Sequence, residues 1–478
     1  MLVPGNNTEG KEMKKILIEL TFLPCFVFLA FLLLNRPVMA FTEGQCGDDV
    51  YYYITDAGYV NISGRGAMWD YSWSPDSTDG RSPFAENDSI KGVRFGSGVT
   101  HIGKYAFIRS RNLTNVQFPD TLLWIGGWAF AGTGLSSPEL PESLNYLDDG
   151  AFESCLNISQ IYLPDQTTLL ESPFRYCENL TAFSVSGTNP YYSVQNGVLF
   201  NKSKTELVDY PGGKSGSYQI PGTVKTIHNN AFIRTKDLTA VTFPDSIETI
   251  GYYAFEGCTA LTDISLPDSV RNINNRAFYG CTELKTVRLP EGLTEISHAV
   301  FCRDSNLETI VIPQSVSDIR DDAFGSCTRL KRAFFTEQDI TIHRQAFSNC
   351  PALTMYVYSD TSACTYAQNE NIPFVLRDLM DPIDGYLPYD LTIIEAEALA
   401  GIDAEVIYVS DHVTAIGSRA FSNCRHLRQI RIPEGITEIA DDAFEGCPSG
   451  LIIYGRPDTL AHDYARAHHY IFAIDPIG

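Results

Sequence analysis

The 478-residue sequence is short of positive charge and of catalytic or cofactor-binding motifs. It contains 35 basic against 58 acidic residues, and the formal net charge of −23 repels polyanions, so nucleic acid is not an expected partner. Glycine-rich dinucleotide loops, phosphate-binding loops, the Gly-x-Ser-x-Gly elbow and the His-Glu-x-x-His zinc motif do not occur in it. We therefore predict no catalytic residue and no cofactor.

Long apolar runs are lacking outside the amino terminus. There, a Met-Lys-Lys start at Met13 precedes an apolar segment over residues 16–34, and residues 38–40 (Val-Met-Ala) form a small-residue cleavage pattern. We interpret residues 1–40 as a signal peptide. An uncleaved membrane anchor is the alternative, which a glutamate and a proline within the run disfavour. The remaining chain is expected to be secreted or at the cell surface, without membrane insertion.

An Ala-Phe pair recurs along most of the chain. From Phe232 to Phe347 the aromatic residue returns at steps of 23 residues, and the unit reads L-x-x-I-x-L-P-x-x-L-x-x-I-x-x-x-A-F-x-x-C. We call the position of the aromatic residue the Phe slot. It holds Phe107, Phe130, Phe152, Phe174, Phe232, Phe255, Phe278, Phe301, Phe324, Phe347, Leu399, Phe421 and Phe444.

Each unit has the pattern of one coil of a solenoid. Apolar and polar residues alternate over residues 284–289, as in a half-buried strand, and Pro290 ends the pairing of that strand. A second short extended segment follows with Leu293 and Ile296 inward, and a turn carries the next aromatic side chain into the core. One unit cannot bury its apolar side alone, whereas units stacked ~5 Å apart share a core. The sequence therefore predicts a solenoid, mostly β with short helical turns.

The A-F-x-x-C…L-P spacing resembles the BspA-type leucine-rich-repeat proteins of bacterial surfaces, a family that also occurs in some parasitic protists. The resemblance covers nearly all of the chain beyond the signal peptide. Residues 44–72 resemble the family's leader module, and residues 189–221 resemble its extended repeat. The resemblance implies a leucine-rich-repeat solenoid that mediates adhesion or protein–protein binding outside a cell, without catalysis.

Two capped arrays are expected. Residues 353–378 and 451–475 align as a tyrosine-bearing strand, a turn, a short helix and an apolar strand, and the open ends of a solenoid require such caps. The second array is small and is expected to be stabilised by contact with the first. The expected domains are a β-rich leader or capping module at 41–90, the main array with its cap at 91–378, a linker at 379–390 and a short second array with its cap at 391–478.

Eight of the twelve cysteines lie three residues after the Phe slot. A position repeated in this way is set by packing, and we interpret these residues as a structural core ladder, with Ser110, Thr133 and Thr235 at the same position in other coils. Disulfides between ladder neighbours are the alternative, because their expected spacing permits them. No metal site is expected, because donors at 23-residue intervals lie along a line. The ladder is Cys155, Cys177, Cys258, Cys281, Cys327, Cys350, Cys424 and Cys447.

Paired acids and histidines have a simple explanation in this repeat. The aspartate pairs at Asp148, Asp321 and Asp441 all lie in the turn before the Phe slot, so they are turn residues and not an acid–base pair. His468 and His469 lie in the second cap, where we expect them at the surface.

The candidate binding residues lie eight and ten residues after the Phe slot, where the main strand points away from the core. In three coils these positions combine arginine, aromatic and β-branched side chains, a composition typical of a protein-binding patch. An ordinary solvated sheet face is the alternative. The expected partner is an extracellular or surface protein of a host or neighbouring cell. The patch comprises Thr286, Arg288, Thr309, Val311, Arg332 and Phe334.

The tryptophans suggest a second candidate function. All four lie in the first third of the chain, and Trp69 and Trp73 of the leader could stack on sugar rings. Capping of the first coil is the other use for such side chains. Glycan or cell-wall-polymer binding is therefore the alternative to protein binding, and a structural surface spacer is a third hypothesis.

Overall fold

The computed structural model describes residues 42–475 except Pro75, Glu337, Asp360, residues 377–386 and 388–390, and Asp403. The expected signal peptide and all of the expected linker apart from Leu387 lie outside the described residues. Within the described part of the chain, no helix is long and apolar enough to cross a membrane.

A small antiparallel sheet begins the fold and passes directly into the solenoid. Its strands are Thr42–Gly47, Val50–Ile54 and Tyr59–Gly64. The third strand pairs in parallel with Gly92–Phe95, the first main strand of the coils. The leader therefore covers the open end of the solenoid by extending its sheet.

Most coils contribute one main strand to a parallel stack. In the regular coils neighbouring strands pair with a register of 23 residues, so Asp263 lies beside Thr286 and Thr309 beside Arg332. The main strands are Gly92–Phe95, Asn115–Gln117, Gln160–Leu163, Ala182–Val185, Gly216–Gln219, Leu238–Thr242, Asp263–Ser265, Thr286–Arg288, Thr309–Val311, Arg332–Phe334 and Thr354–Val357, followed in the second array by Val406–Tyr408, Gln429–Arg431 and Ile452–Gly455.

A second, shorter strand in most coils forms another parallel stack, in which one inward residue alternates with one outward residue. These strands are Gly66–Ala67, Val99–Ile102, Trp124–Ile125, Tyr146–Leu147, Thr168–Leu169, Glu206–Asp209, Thr226–Ile227, Thr249–Ile250, Asn272–Ile273, Glu295–Ile296, Asp318–Ile319, Thr341–Ile342, Ile393–Ile394, Ala415–Ile416 and Glu438–Ile439.

The segment around the Phe slot is a tight turn with two left-handed residues. In one coil these are Arg276 (φ 59°) and Gly280 (φ 71°), two residues before and two after Phe278. Because the turn has no strand partner, its backbone pairs with the next coil instead: the N–H of Phe255 donates to the carbonyl of Ala277 at 2.7 Å. Glycine recurs after the aromatic residue because it adopts positive φ without a steric penalty.

The slot aromatics form a stacked column in the core. Rings of neighbouring coils lie nearly parallel, with centroids 5.1 Å apart for Phe255 and Phe278 and 5.5 Å apart for Phe278 and Phe301. The long step between Phe174 and Phe232 contains the hairpin strands Tyr192–Gln195 and Val198–Asn201. It also contains an additional coil, in which Tyr210 fills the Phe slot and stacks on Phe232 at 4.6 Å.

The two segments that align with each other in sequence fold alike. Helix Ser362–Asn369 is followed by strand Phe374–Leu376, and helix Leu460–Ala467 by strand Ile471–Ile474. Both final strands pair in parallel with the last strand of their array. The hydroxyl of each helix tyrosine donates to a carbonyl of the preceding coil at 3.1 Å, from Tyr366 to Arg344 and from Tyr464 to Asp441.

The two arrays touch. Nε2 of His412, in the second array, lies 3.6 Å from a carboxylate oxygen of Glu291, which directly follows Pro290 in the main array. Leu387 belongs to the hydrophobic core of the second array, and its N–H donates to the carbonyl of Tyr408.

Candidate functional site

The structure brings the predicted sheet-face residues together in pairs. Thr309 lies beside Arg332 and Val311 beside Phe334 on adjacent strands. Most of their polar groups are engaged within the chain, since Nε of Arg332 donates to the Thr309 hydroxyl at 3.2 Å. Thr286 donates to Asp263. The patch therefore has few polar atoms free for a partner.

Arg288 is the most strongly held member of that patch. One of its terminal nitrogens donates to both carboxylate oxygens of Asp268 at 3.1 Å, and the other donates to the carbonyl of Leu266 at 2.7 Å. Such a charge-assisted arrangement fixes the guanidinium in place. The pKa of Asp268 is lowered overall, because hydrogen bonding and the charges of Arg288 and His412 outweigh burial.

The prediction that Phe334 faces solvent is wrong. Its side chain is only 4% exposed, and its ring stacks on that of Tyr356 with centroids 4.8 Å apart. The alternation of strand residues predicts the direction of this side chain, but it cannot predict what packs on that side of the sheet. Phe334 is therefore not part of an accessible binding surface.

The two leader tryptophans occupy different environments. The indole N–H of Trp69 donates to Asp48 at 2.9 Å, and its ring is partly exposed. Trp73 is half-buried beneath the guanidinium of Arg109, which lies 4.3 Å from the ring centre. The ring of Trp73 is therefore largely occupied by a neighbour from the chain itself.

Three exposed tyrosines on the leader sheet were missed by the sequence analysis. Tyr51 and Tyr53 lie two residues apart on one strand, and Tyr59, which is 53% exposed, lies on the next strand. Period-two alternation in the segment Val50–Ile54 would have placed Tyr51 and Tyr53 on the same outward face.

The ladder cysteines make a repeated hydrogen bond that the sequence did not reveal. Each thiol donates to the carbonyl of the Phe-slot residue in the preceding coil, at 3.1 to 3.3 Å. All eight are free thiols in the structure, and Cys350 and Cys447 are half-buried while the rest are buried. Burial raises the pKa of Cys155 to about 11. The position thus favours a small side chain that can donate one hydrogen bond.

Asp304 occupies the ladder position in the coil of Phe301, which the sequence analysis overlooked. It is fully buried, and its Oδ1 accepts a hydrogen bond from the N–H of Cys281 at 2.8 Å. The other oxygen, Oδ2, has no partner among the described residues. Burial raises the pKa of this carboxyl well above its usual range, against the lowering effect of backbone hydrogen bonds. The ladder therefore contains one acid between Cys281 and Cys327.

A further surface lies along the turns that carry the slot aromatics, and we call it the turn ridge. It consists of the residues within three positions on either side of each Phe slot. Five arginines of the ridge lie over aromatic rings, with the guanidinium carbon 4.3 to 5.7 Å from a ring centre. They are Arg109 on Trp73, Arg175 on Trp128, Arg234 on Tyr176, Arg276 on Tyr253 and Tyr279, and Arg303 on Tyr279.

The described residues include no group of three or more histidine, cysteine or acidic side chains that could hold a metal ion. The aspartate pairs have structural contacts instead. Oδ1 of Asp149 is 3.2 Å from a guanidinium nitrogen of Arg175, and Asp442 accepts from the Ser418 hydroxyl at 2.8 Å.

Stacked coils, most of them with one parallel main strand, and a core column of aromatic rings define this protein as a leucine-rich-repeat β-solenoid. The family model described as "BspA type Leucine rich repeat region" matches residues 80–205, 217–362 and 386–461, in six copies. The chain belongs to this family.

Solved structures support the fold. A leucine-rich repeat protein from Eubacterium ventriosum is 24% identical over 85% of this chain and 95% of its own, with a TM-score of 0.55. The pneumococcal vaccine antigen PcpA is 21% identical over 70% of this chain and 99% of its own, also with a TM-score of 0.55. A search of curated proteins found no match.

Proposed function

We propose that this protein is an exported, non-catalytic solenoid that binds another protein and thereby mediates adhesion outside the cell. The observation that carries the proposal is a contrast between the inside and the outside of the coils. The inward slot is a buried aromatic in coil after coil, whereas the outward residue on the main strand changes, as in Asn115, Gln160, Thr286 and Arg332. A rigid repeated core presents different side chains at fixed spacing, which suits recognition of an extended partner.

Two further observations favour this function. The family includes proteins of bacterial surfaces, and one protein with the same fold is a pneumococcal vaccine antigen. The amino-terminal sequence has the pattern of a signal peptide, which fits export.

The test is capture of a defined partner. The chain that follows Ala40 is immobilised and exposed to solubilised surface proteins of host and neighbouring cells, and captured proteins are identified and purified. We expect at least one purified protein to bind saturably and to compete with free solenoid. The negative control is denatured chain whose spectrum shows that it has not regained its β structure. Absence of saturable binding by any purified candidate would overturn the proposal.

Glycan binding is the second candidate, and the exposed tyrosines of the leader favour it. Tyr51 and Tyr59 offer exposed ring faces at the end of the solenoid that could stack on sugars. A glycan array probed with the full chain and with Tyr51→Ala/Tyr59→Ala tests this function, which requires specific signals that the double variant loses. A structural spacer would give no specific ligand in either assay.

A further inference from the structure

Two arginines of the turn ridge differ from the other three. Arg109 pairs with Glu86, Arg175 with Asp149 and Glu153, and Arg234 with Glu178, at distances of 2.6 to 3.8 Å. Among the described residues, neither Arg276 nor Arg303 has an acidic oxygen within 4 Å. The main array therefore has two adjacent guanidinium groups whose positive charge is not neutralised by direct contact within the described part of the chain.

These two guanidinium groups are held in place by a shared ring. Both lie 5.5 Å from the centre of Tyr279, and Arg276 also lies 5.7 Å from that of Tyr253. Stacking on an aromatic face orients an arginine without using its N–H donors. The donors remain available to a carboxylate, which arginine binds in a two-point contact.

The backbone leaves room for a ligand beside these groups. Two positions after the Phe slot, successive coils carry Arg234, Gly257, Gly280 and Arg303, so two glycines lie between two arginines. A Cβ added at Gly280 would meet no heavy atom within 4 Å, whereas one added at Gly257 would lie 3.1 Å from Cγ of Arg234, so the open space is at Gly280. We call this depression the glycine saddle. Arg303 lies at one edge of the saddle, and Arg276 lies four residues before Gly280 in the same turn, whereas Arg234 at the other edge is already paired with Glu178.

Glu256, Asp304 and Asp322 lie in the neighbourhood of these arginines, but no carboxylate oxygen of these three acids lies within 4 Å of a side-chain nitrogen of Arg276 or Arg303. Glu256 is the acid whose pKa responds to Arg234 and Arg276, both of which lower it, while burial raises it more strongly. Burial raises the pKa of the Cys302 thiol to about 11, with Asp322 and Asp304 adding to the rise and Arg303 and Arg276 opposing it. Two neighbouring arginines without a direct acidic partner in the described part of the chain form a complementary surface for an anionic segment.

We propose that the glycine saddle, with Arg276 and Arg303 as its main charged groups, binds an extended acidic peptide segment of the partner protein. The inference rests on the proposed function and specifies its site. The guanidinium carbons of Arg276 and Arg303 each lie 5.5 Å from the centre of Tyr279, so they are close enough for carboxylates two residues apart on an extended segment, which are roughly 7 Å apart. The faces of Tyr253 and Tyr279 are occupied by guanidinium groups, which argues against stacking on sugar rings. Tyr252, which is 44% exposed, adds apolar contact at the margin.

The experiment measures binding of a labelled peptide of alternating glutamate and glycine to the full chain by fluorescence anisotropy. Arg276→Gln/Arg303→Gln is expected to weaken binding about tenfold. Arg94→Gln/Arg329→Gln removes the same charge from exposed arginines that form no ion pair with a described residue, and it is expected to leave binding within about twofold. A peptide of glutamine and glycine should not bind, and salt should weaken binding of the acidic peptide.

Three results would overturn the inference. The first is unchanged affinity in the Arg276→Gln/Arg303→Gln variant, and the second is an equal loss in the control pair, which would reduce the effect to net charge. The third is equally tight binding of oligogalacturonate that the same variant loses, which would assign the saddle to acidic glycans.

A parallel capture experiment separates failure of the site from failure of the proposed function. If the unmodified chain binds a purified surface protein and Arg276→Gln/Arg303→Gln retains it, the saddle is not the site although protein binding stands. Loss of that partner with Arg288→Gln/Arg332→Gln alone would place binding on the sheet face. If the unmodified chain binds no protein, the proposed function fails, and the peptide assay still reports whether the saddle binds carboxylates.

Discussion

Replacement of Asp304 by cysteine should stabilise the main array at neutral pH. The carboxyl is fully buried at a ladder position, with one oxygen bonded to the N–H of Cys281 and the other without a partner among the described residues. A buried unsatisfied polar atom costs about 1–3 kcal/mol. Cysteine at this position can donate to the carbonyl of Phe278, as its counterparts do in other coils. We expect Asp304→Cys to raise the unfolding free energy at neutral pH by about 1–3 kcal/mol.

The pH dependence distinguishes this mechanism from simple repacking. Burial raises the pKa of Asp304, so the folded state keeps its proton to a higher pH than the unfolded state does. Below the unfolded pKa of about 4 the carboxyl is protonated in both states, so its ionisation does not lower the unfolding free energy there. Above that pH the unfolded state releases its proton first, and the unfolding free energy falls by up to about 1.4 kcal/mol per pH unit until the folded carboxyl ionises.

The assay is urea unfolding at a series of pH values from about 4 to about 8, followed by fluorescence. The difference in unfolding free energy between Asp304→Cys and the unmodified chain should grow with pH. Asp304→Asn should also lack the fall in unfolding free energy with pH that the unmodified chain shows. Asp237→Asn, at an exposed position, serves as the control, and its unfolding free energy should change with pH as that of the unmodified chain does. A stability difference between Asp304→Cys and the unmodified chain that stays constant across this range would refute the reasoning.

Three further predictions concern the coils. Phe278→Ala should lower the unfolding free energy by about 3–5 kcal/mol, because it removes a fully buried ring from the column. Urea unfolding measures this change, and a loss below about 1 kcal/mol would contradict the prediction. The thiols of Cys155, Cys258 and Cys281 should resist alkylation in the folded protein and react after denaturation, which mass spectrometry of labelled peptides detects; rapid native labelling would show that the ladder opens. Gly280→Ala should cost about 1 kcal/mol from its positive φ alone, since there is space for the methyl group; a larger loss in urea unfolding would indicate a clash.

The repeated part of the fold could be predicted from the sequence because the same physical requirement recurs in each coil. Spacing alone identified the slot of Phe278 and the ladder position of Cys281. Departures from the repeat were harder to recognise. Tyr210 fills a Phe slot after an inserted hairpin that breaks the 23-residue period. Asp304 resembles cysteine only in its small size, so it does not stand out as a ladder residue.

The candidate surface was less predictable because it depends on contacts between distant parts of the chain. Alternation along a strand gives the direction of Phe334, but its burial against Tyr356 needs the neighbouring coil and its actual side-chain packing. The ion pairs of the turn ridge pose the same difficulty. Arg234 meets Glu178 from a different coil, whereas Arg276 meets no acid in the described part of the chain, and both arginines look alike in the repeat.

The coil of Phe301 departs from the repeat at two positions. This coil has Val300 in place of the usual alanine and Asp304 in place of the ladder cysteine, with Arg303 of the saddle between the aromatic residue and that acid. Departures that reduce stability without a structural gain are most readily explained at functional sites, because sequence and structure agree elsewhere. The buried acid costs stability directly beneath the proposed saddle. A destabilising acid in the core and an arginine without an acidic partner on the surface thus occur in one turn, which is a further reason to expect binding there.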